Sequence, residues 1–351
     1  MEHLQLLNRD IKMNTKLLAT LGPSSLNKYT VEELTKKGVD LFRINLSHTK
    51  LDMVQEIIEK IQLWTNVPIS LDSEGAQIRN QDMILESVHF QKDDIIKIHH
   101  TAVIGDSKNI SFTPNYVSKQ LKAGDEIRVD FNSVCLRVET VQDKYLIAKV
   151  KEGGVVGSNK AADTDAEIHL SALTTKDKKA FEIGLKMGVN NFSLSFTNSA
   201  DDVHQVREII GKNANLISKI ESIKGVLNLN EILPVVDQIL IDRGDLSREV
   251  SIEKIPFIQR GIITYAKSKG TPVYVATNLL ESMIKSNLPT RAEANDVAST
   301  LLMGASGLVL AAETAIGDHP IESVEMINLI VKQYERWTFE SSFEDIIFQD
   351  N

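Results

Sequence analysis

The chain holds a single cysteine, Cys135, among 351 residues. That scarcity excludes an internal disulfide framework and any multi-cysteine metal site, and it suits a reducing, cytoplasmic setting. No run of Lys and Arg is long enough to track a phosphate backbone, and the formal net charge is -9. Nucleic acid is therefore not an expected partner, and an anionic ligand has to be met by a local basic site. The first residues, MEHLQLLNRDIKMNTK, carry neither an apolar signal core nor a membrane-spanning run, so no membrane association is expected. Internal repeats of about 20–50 residues and low-complexity tracts are also lacking.

What is present is an alternation. From residue 14 to about 80, and again from about 170 to 335, short β-branched or Leu-rich runs alternate with longer stretches at helical spacing. The runs are KLLATLG (16–22), DLFRINL (40–46), VPISLD (67–72), NFSLSF (191–196), NLISKIE (215–221), QILIDRGD (238–245), PVYVATN (272–278) and GLVLAAE (307–313). Helix starts are visible between them, at Thr30 with Glu33 and at Ser199 before VHQVREIIGK. Eight βα units predict an α/β fold, a (β/α)8 TIM barrel built from residues 1–80 and 170–340. Residues 81–169 break the rhythm with runs such as EIRVDF and YLIAKVKEGG between Gly, Asp and Asn turns, and predict an inserted all-β domain. Residues 341–351 form an acidic and aromatic tail, read as a docking segment or a frayed end.

In a TIM barrel the chemistry sits where the strands end. The strand ends here carry Arg43, Asn45, Ser47, Asp72, Ser195, Lys219, Glu221, Asp242, Asp245, Thr277 and Glu313. Each carboxylate alone reads as a cap of the following helix, but together they converge from most of the strands. Lys219 and Glu221, at i and i+2, share one face of their strand. One reading is a buried ion pair across the barrel mouth. The other places a hard divalent cation on Glu221 and Asp245 and an anionic substrate on Lys219, and the want of a His-rich or thiol set argues against zinc. Arg43 offers a fork for phosphate or carboxylate. Asn45, Ser47 and Asp72 suit a monovalent cation or simple turn bonding equally well. RGDLSREV begins a short helix whose free N–H groups favour a small carboxylate, and Thr277 adds a hydroxyl. A metal, a Lys and an Arg around one small anion are equipment for phosphoryl transfer or for stabilising an enolate.

The strings TKLLATLGPSS, GVDLFRINLSH, LDSEGAQIR, LISKIES, DRGDL, ATNLLESMI, PTRAEANDVA and AAETAIGDHP resemble, in order and spacing, those of pyruvate kinases over residues 14–335. The resemblance implies Mg²⁺ (or Mn²⁺) on Glu221 and Asp245, and Lys219 stabilising the transferring phosphoryl group and the enolate. It implies Arg43 on the phosphate, and Gly244, Asp245 and Thr277 on the substrate carboxylate, with Thr277 also tied to the water that protonates the enolate carbon. It further implies Asn45, Ser47, Asp72 and Ser73 around K⁺, and Asn45, His48, Arg79 and Lys160 on the nucleotide side, with the inserted β block as the lid. Phosphoenolpyruvate or pyruvate and ADP or ATP are the ligands it implies. The family's C-terminal domain has no counterpart here, so a sugar-phosphate effector site is not expected, and a homodimer is an open option.

Several positions depart from the family pattern. Glu74 stands for a Lys, and Gln77 for the Glu associated with potassium dependence. Phe131 and Asn132 stand for Asp and Gly, Asn198 for Arg, Asp242 for Ala and Ser247 for Gly; AAET replaces SGET, and Met53 falls where many members have an aromatic. The changes cluster on the nucleotide side and the substrate's flank. They leave three expectations: a phosphotransferase acting on phosphoenolpyruvate and ADP, an enolate-stabilising lyase, aldolase or hydrolase that transfers nothing to a nucleotide, and a non-catalytic regulatory protein.

Overall fold

A computed structural model describes residues 15–130 and 133–348. The N-terminal stretch up to Asn14, the departures at Phe131 and Asn132, and the last three residues of the tail lie outside the described residues. The chain divides into two compact units, Met1–Gly75 with Ala172–Asn351, and Ala76–Ser171.

The first unit is a closed barrel of eight parallel strands: β1 (Lys16–Leu21), β2 (Leu41–Asn45), β3 (Ile69–Asp72), β4 (Asn191–Leu194), β5 (Asn215–Ile220), β6 (Gln238–Asp242), β7 (Val273–Ala276) and β8 (Gly307–Leu310). They follow chain order around the barrel, and β8 closes on β1 through Leu17–Leu308 and Leu18–Val309. All eight predicted runs are strands, and the expected α/β barrel is the fold. Their near-continuous apolar character follows from burial on both faces, as parallel strands under helices require. Outside the strands, Leu34, Ile58, Phe181 and Val206 on surrounding helices are fully buried. Each such side chain contributes about 1.5–3 kcal/mol relative to exposure.

Polar side chains set where the helices start. Ser199 caps the helix Ala200–Ile210 through a reciprocal pair with Asp202, as its sequence predicts. The helix Lys28–Lys36 begins earlier than expected: Asn27 is its cap, accepting from the Thr30 N–H at 3.0 Å, and Thr30 lies inside the first turn. Asn caps as well as Thr, so the Thr30–Glu33 spacing was a weaker signal than the Asn three residues upstream.

The second unit has its own closed barrel, in the order Tyr145–Glu152, Ile95–His99, Asn109–Thr113, Ile78–Asn80, Ala161–Thr164, Glu126–Val129 and Val134–Val141. A further antiparallel pair joins Gly154–Gly157 to Ser87–Phe90. Its core, around Phe90, Ile98, Phe112, Leu136 and Leu146, comes from the buried alternate residues of half-exposed strands.

At the C-terminal end, a short helix Phe343–Phe348 leaves Phe343, Ile347 and Phe348 exposed, while Ile346 with Leu302, Ile330 and Trp337 lines a cavity of about 400 Å³. No helix among the described residues is long and apolar enough to cross a membrane.

Candidate functional site

The barrel interior is apolar in one layer and charged in the next. Leu18, Leu41, Ile217, Leu240, Tyr274, Ala276 and Val309 fill the lower layer. Two residues further along β1, β2, β5 and β6, on the same face of each strand, come Thr20, Arg43, Lys219 and Asp242. All four are buried. The strand period therefore places these polar groups at the carboxyl ends of the strands, over an apolar floor.

Lys219 is the centre of this layer. Its Nζ donates to Ser195 Oγ at 3.0 Å and lies 3.2 Å from Glu221 Oε2, 3.6 Å from Asp72 Oδ2 and 3.8 Å from Asp242 Oδ2. Burial alone would lower the ammonium's pKa, but Asp72, Glu221 and Asp242 outweigh it and hold Lys219 above the ordinary lysine range. Arg43 donates from Nε to Thr20 Oγ1 at 2.9 Å and from a terminal nitrogen to Asp72 Oδ2 at 3.2 Å.

One ammonium is thus shared among three carboxylates, and Glu221 is the one left short. Burial, with Asp242, Asp245 and Asp72 nearby, pushes its pKa up to about 8 against the relief from Lys219. Its Oε1 accepts from the Phe196 N–H at 2.7 Å, while Oε2 is buried and makes no hydrogen bond. Asp245 is also raised, by burial and by Asp242, although Arg248 stands 3.3 Å away. Burial works to raise Asp242 as well, yet Lys219 and the Thr277 hydroxyl hold it below the usual carboxylate range. Glu221, Asp242 and Asp245 present ligand atoms within 4.8 Å of one another. An all-oxygen, carboxylate-rich set with an orphaned buried oxygen fits a hard divalent cation.

Thr277, just beyond β7, has φ 75, an outlier for a β-branched residue that costs about 1–3 kcal/mol and persists only where the surroundings enforce it. The enforcement is visible. Arg243 Nε and a terminal nitrogen donate to the Thr277 carbonyl at 3.1 and 2.6 Å, while the other terminal nitrogen reaches Asp296 at 2.6 Å. The Thr277 hydroxyl donates to Asp242 Oδ1 at 2.6 Å. Gly244 leaves the room: a Cβ there would stand 2.8 Å from Thr277 Cγ2. The expected short helix is present as Arg243–Glu249, but its first N–H groups are not free, because the Asp242 side chain caps it through Gly244 N at 3.2 Å.

The monovalent-cation candidates gather beside Arg43. Asn45 and Asp72 are register partners on β2 and β3. Asn45 Oδ1 already accepts from the Ser47 N–H at 2.9 Å, and Ser73 Oγ from the Ser195 N–H at 3.0 Å, whereas Asp72 Oδ1 is buried with no hydrogen bond. His48 lies in the turn after β2, where its N–H donates to Asn45 O at 3.2 Å. Arg79 and Lys160 belong to the second unit. Arg79 forks onto Gln77 Oε1 at 3.1 and 2.8 Å and reaches Asn159 O at 2.9 Å, and Lys160 stands 3.6 Å from Asp130. Glu74 is paired with Lys176 at 2.7 Å. Glu313 serves the scaffold, its two oxygens accepting from the N–H groups of Leu280 and Ala311.

Sequence reasoning missed the parts played by Asp242, Ser195 and Arg243 around Lys219 and Thr277. Parity offered a signal for Asp242, which lies two residues beyond Leu240 and so on the inward face. Nothing local marked Arg243, whose partners Thr277 and Asp296 are distant in sequence.

Residues 12–324 match the family described as pyruvate kinase, barrel domain. The chain is 33% identical over 332 residues to a pyruvate kinase of Thermotoga maritima, covering 92% of this chain and 71% of that protein. A pyruvate kinase of Thermococcus litoralis is 35% identical over 332 residues, with 92% and 70% covered. One of Mycobacterium tuberculosis is 32% identical over 325 residues, with 90% and 69% covered. With a match across the barrel and relatives above 30% identity covering most of this chain, the chain belongs to the pyruvate kinase family.

Proposed function

We propose that the chain is a phosphotransferase that moves the phosphoryl group of phosphoenolpyruvate to ADP, giving pyruvate and ATP, and that it requires Mg²⁺ or Mn²⁺. The observation that carries this reading is the buried Lys219 ammonium, held charged among Asp72, Glu221 and Asp242 and flanked by Arg43. A fixed positive centre of this kind stabilises charge that develops on the phosphoryl oxygens and on the enolate oxygen as the P–O bond breaks.

In this reading Arg43 grips the phosphate and Lys219 bridges phosphoryl and enolate oxygens. Thr277, tied to Asp242, orients the water that delivers a proton to the enolate carbon. Glu221 and Asp245 would hold the divalent cation, which supplies Lewis-acid charge neutralisation to the phosphate and carboxylate oxygens. Asp72, through its orphaned Oδ1, with Asn45, Ser47 and Ser73, would hold K⁺. His48 in the barrel unit, and Arg79 and Lys160 in the second unit, are the residues this reading assigns to nucleotide binding.

The test is a coupled assay for pyruvate from phosphoenolpyruvate with Mg²⁺, with and without ADP. ADP-dependent pyruvate is the expected result. ADP-independent turnover would replace the kinase reading with hydrolysis or other enolate chemistry, and silence would remove catalysis on this substrate. Lys219→Met should lower turnover roughly a thousandfold or more. Because it also leaves three carboxylates facing one another, activity is compared well below the variant's own unfolding temperature. Turnover within tenfold of the parent would show that Lys219 does not carry the chemistry.

A further inference from the structure

We propose that Asp242 is a third carboxylate ligand of the divalent-cation site, beside Glu221 and Asp245. This rests on the cation-dependent reading above and adds a residue to it.

The two oxygens of Asp242 are in different situations. Oδ1 is taken by Thr277 Oγ1 at 2.6 Å and the Gly244 N–H at 3.2 Å. Oδ2 lies 3.8 Å from Lys219 Nζ, beyond hydrogen-bond range. The Asp245 N–H also donates to this carboxylate, and a carboxylate held by a hydroxyl and backbone donors is how metal-ligating carboxylates are commonly supported.

Distance agrees. The ligand atoms of Glu221, Asp242 and Asp245 lie within 4.8 Å of one another. Two oxygens on one ion are at most about 4.2 Å apart for Mg²⁺ and about 5 Å for Ca²⁺, so the three close on a cation with small side-chain movements. An independent sign of a ligand is Glu221 Oε2, which is buried without a hydrogen bond, 3.2 Å from the Lys219 ammonium that it shares with Asp72 and Asp242. Charge agrees as well. Once Glu221 is ionised, as cation binding requires, Asp72, Glu221, Asp242 and Asp245 outnumber the cations paired with them among the described residues, Arg43, Lys219 and Arg248.

The consequence is an order of binding. Two carboxylates leave much of a divalent ion's shell to substrate oxygens, whereas three hold the ion before any anionic substrate arrives. The cation then offsets the negative surplus that the substrate would otherwise meet.

The competing role for Asp242 is simply to cap the helix Arg243–Glu249. Asp242→Asn separates the two, because Asn caps as well as Asp but binds a hard cation far more weakly. The full chain, free of substrate, is titrated with MnCl₂, and free Mn²⁺ is followed by electron paramagnetic resonance. The parent is expected to show one strong site, and Asp242→Asn to weaken it at least about tenfold. Metal-free thermal unfolding is measured alongside to show that the variant is folded. Should Asn impair folding, Asp242→Ser, which also caps, is titrated in its place and is expected to show the same loss. Mn²⁺ binding as tight in the folded variant as in the parent would overturn the assignment, as would a parent that binds no Mn²⁺ without substrate. ADP-dependent pyruvate formation by the parent is scored separately, so failure of this ligand assignment is distinguishable from failure of the kinase reading.

Discussion

Glu221 shows how one residue's surroundings become a measurable property of the protein. Its pKa, pushed up to about 8 from an ordinary value near 4.5, means that the folded state binds a proton over that window which the unfolded chain has released. Stability contributed by protonated Glu221 is therefore present at low pH and declines as pH rises from about 4.5 towards 8. Asp245 is raised too and acts in the same direction. A divalent cation needs Glu221 ionised and relieves the repulsion, so its stabilising effect should grow with pH. The expected outcome is a metal-free unfolding temperature that falls between pH 6 and 8.5 (about the window of this group) and a larger upward shift with Mn²⁺ at the alkaline end. Glu221→Gln should flatten both trends, and thermal unfolding at several pH values, with and without Mn²⁺, checks this. Lys219, whose pKa is moved upward from near 10.5, keeps its charge throughout and adds no slope there.

At the scale of elements, the decisive piece is the pair of loops after β6 and β7. Arg243 opens the helix after β6 and clamps the carbonyl of Thr277 after β7, and Gly244 gives the Thr277 methyl its space. This cross-loop grip keeps a β-branched residue at positive φ. Arg243→Met should therefore lower turnover about ten- to a hundredfold, an effect comparable to releasing strain of about 1–3 kcal/mol. Lys at 243 should restore little, because it cannot fork onto one oxygen and a carboxylate at once. Steady-state pyruvate formation reads this, with the loss expected in kcat more than in KM for phosphoenolpyruvate; an unchanged kcat would separate Arg243 from the placement of Thr277. The strands themselves, and the helix start at Ser199, were readable because apolar runs and caps are local signals. The grip between loops was not, since its two sides are 34 residues apart and neither is unusual alone.

At the scale of the whole molecule, the barrel has to survive the long excursion between Gly75 and Ala172. Asp177, fully buried, ties the two ends of the gap within the barrel unit. Its carboxylate accepts from the N–H groups of Glu74 at 2.8 Å and Gly75 at 3.2 Å, and from Thr174 N and Oγ1 at 3.0 and 2.9 Å. Gly75 is needed there, with φ 74 and a backbone so close to Ser195 that a Cβ would lie 2.6 Å from its carbonyl oxygen. Asp177→Ala should cost about 2–4 kcal/mol by stranding these donors, read as a lower denaturation midpoint, and a loss under about 0.5 kcal/mol would show that the excursion is held in register elsewhere. By itself, the sequence determined the eight strands, their inward parity and the charged residues at their ends, because period and burial are written in local pattern. Only the tertiary structure decided how those charges divide one ammonium. It put Asp72 and Asp242 on Lys219 beside Glu221, and left one Glu221 oxygen without a hydrogen bond. Those distances arise from closing the barrel, which brings together strands far apart in the chain.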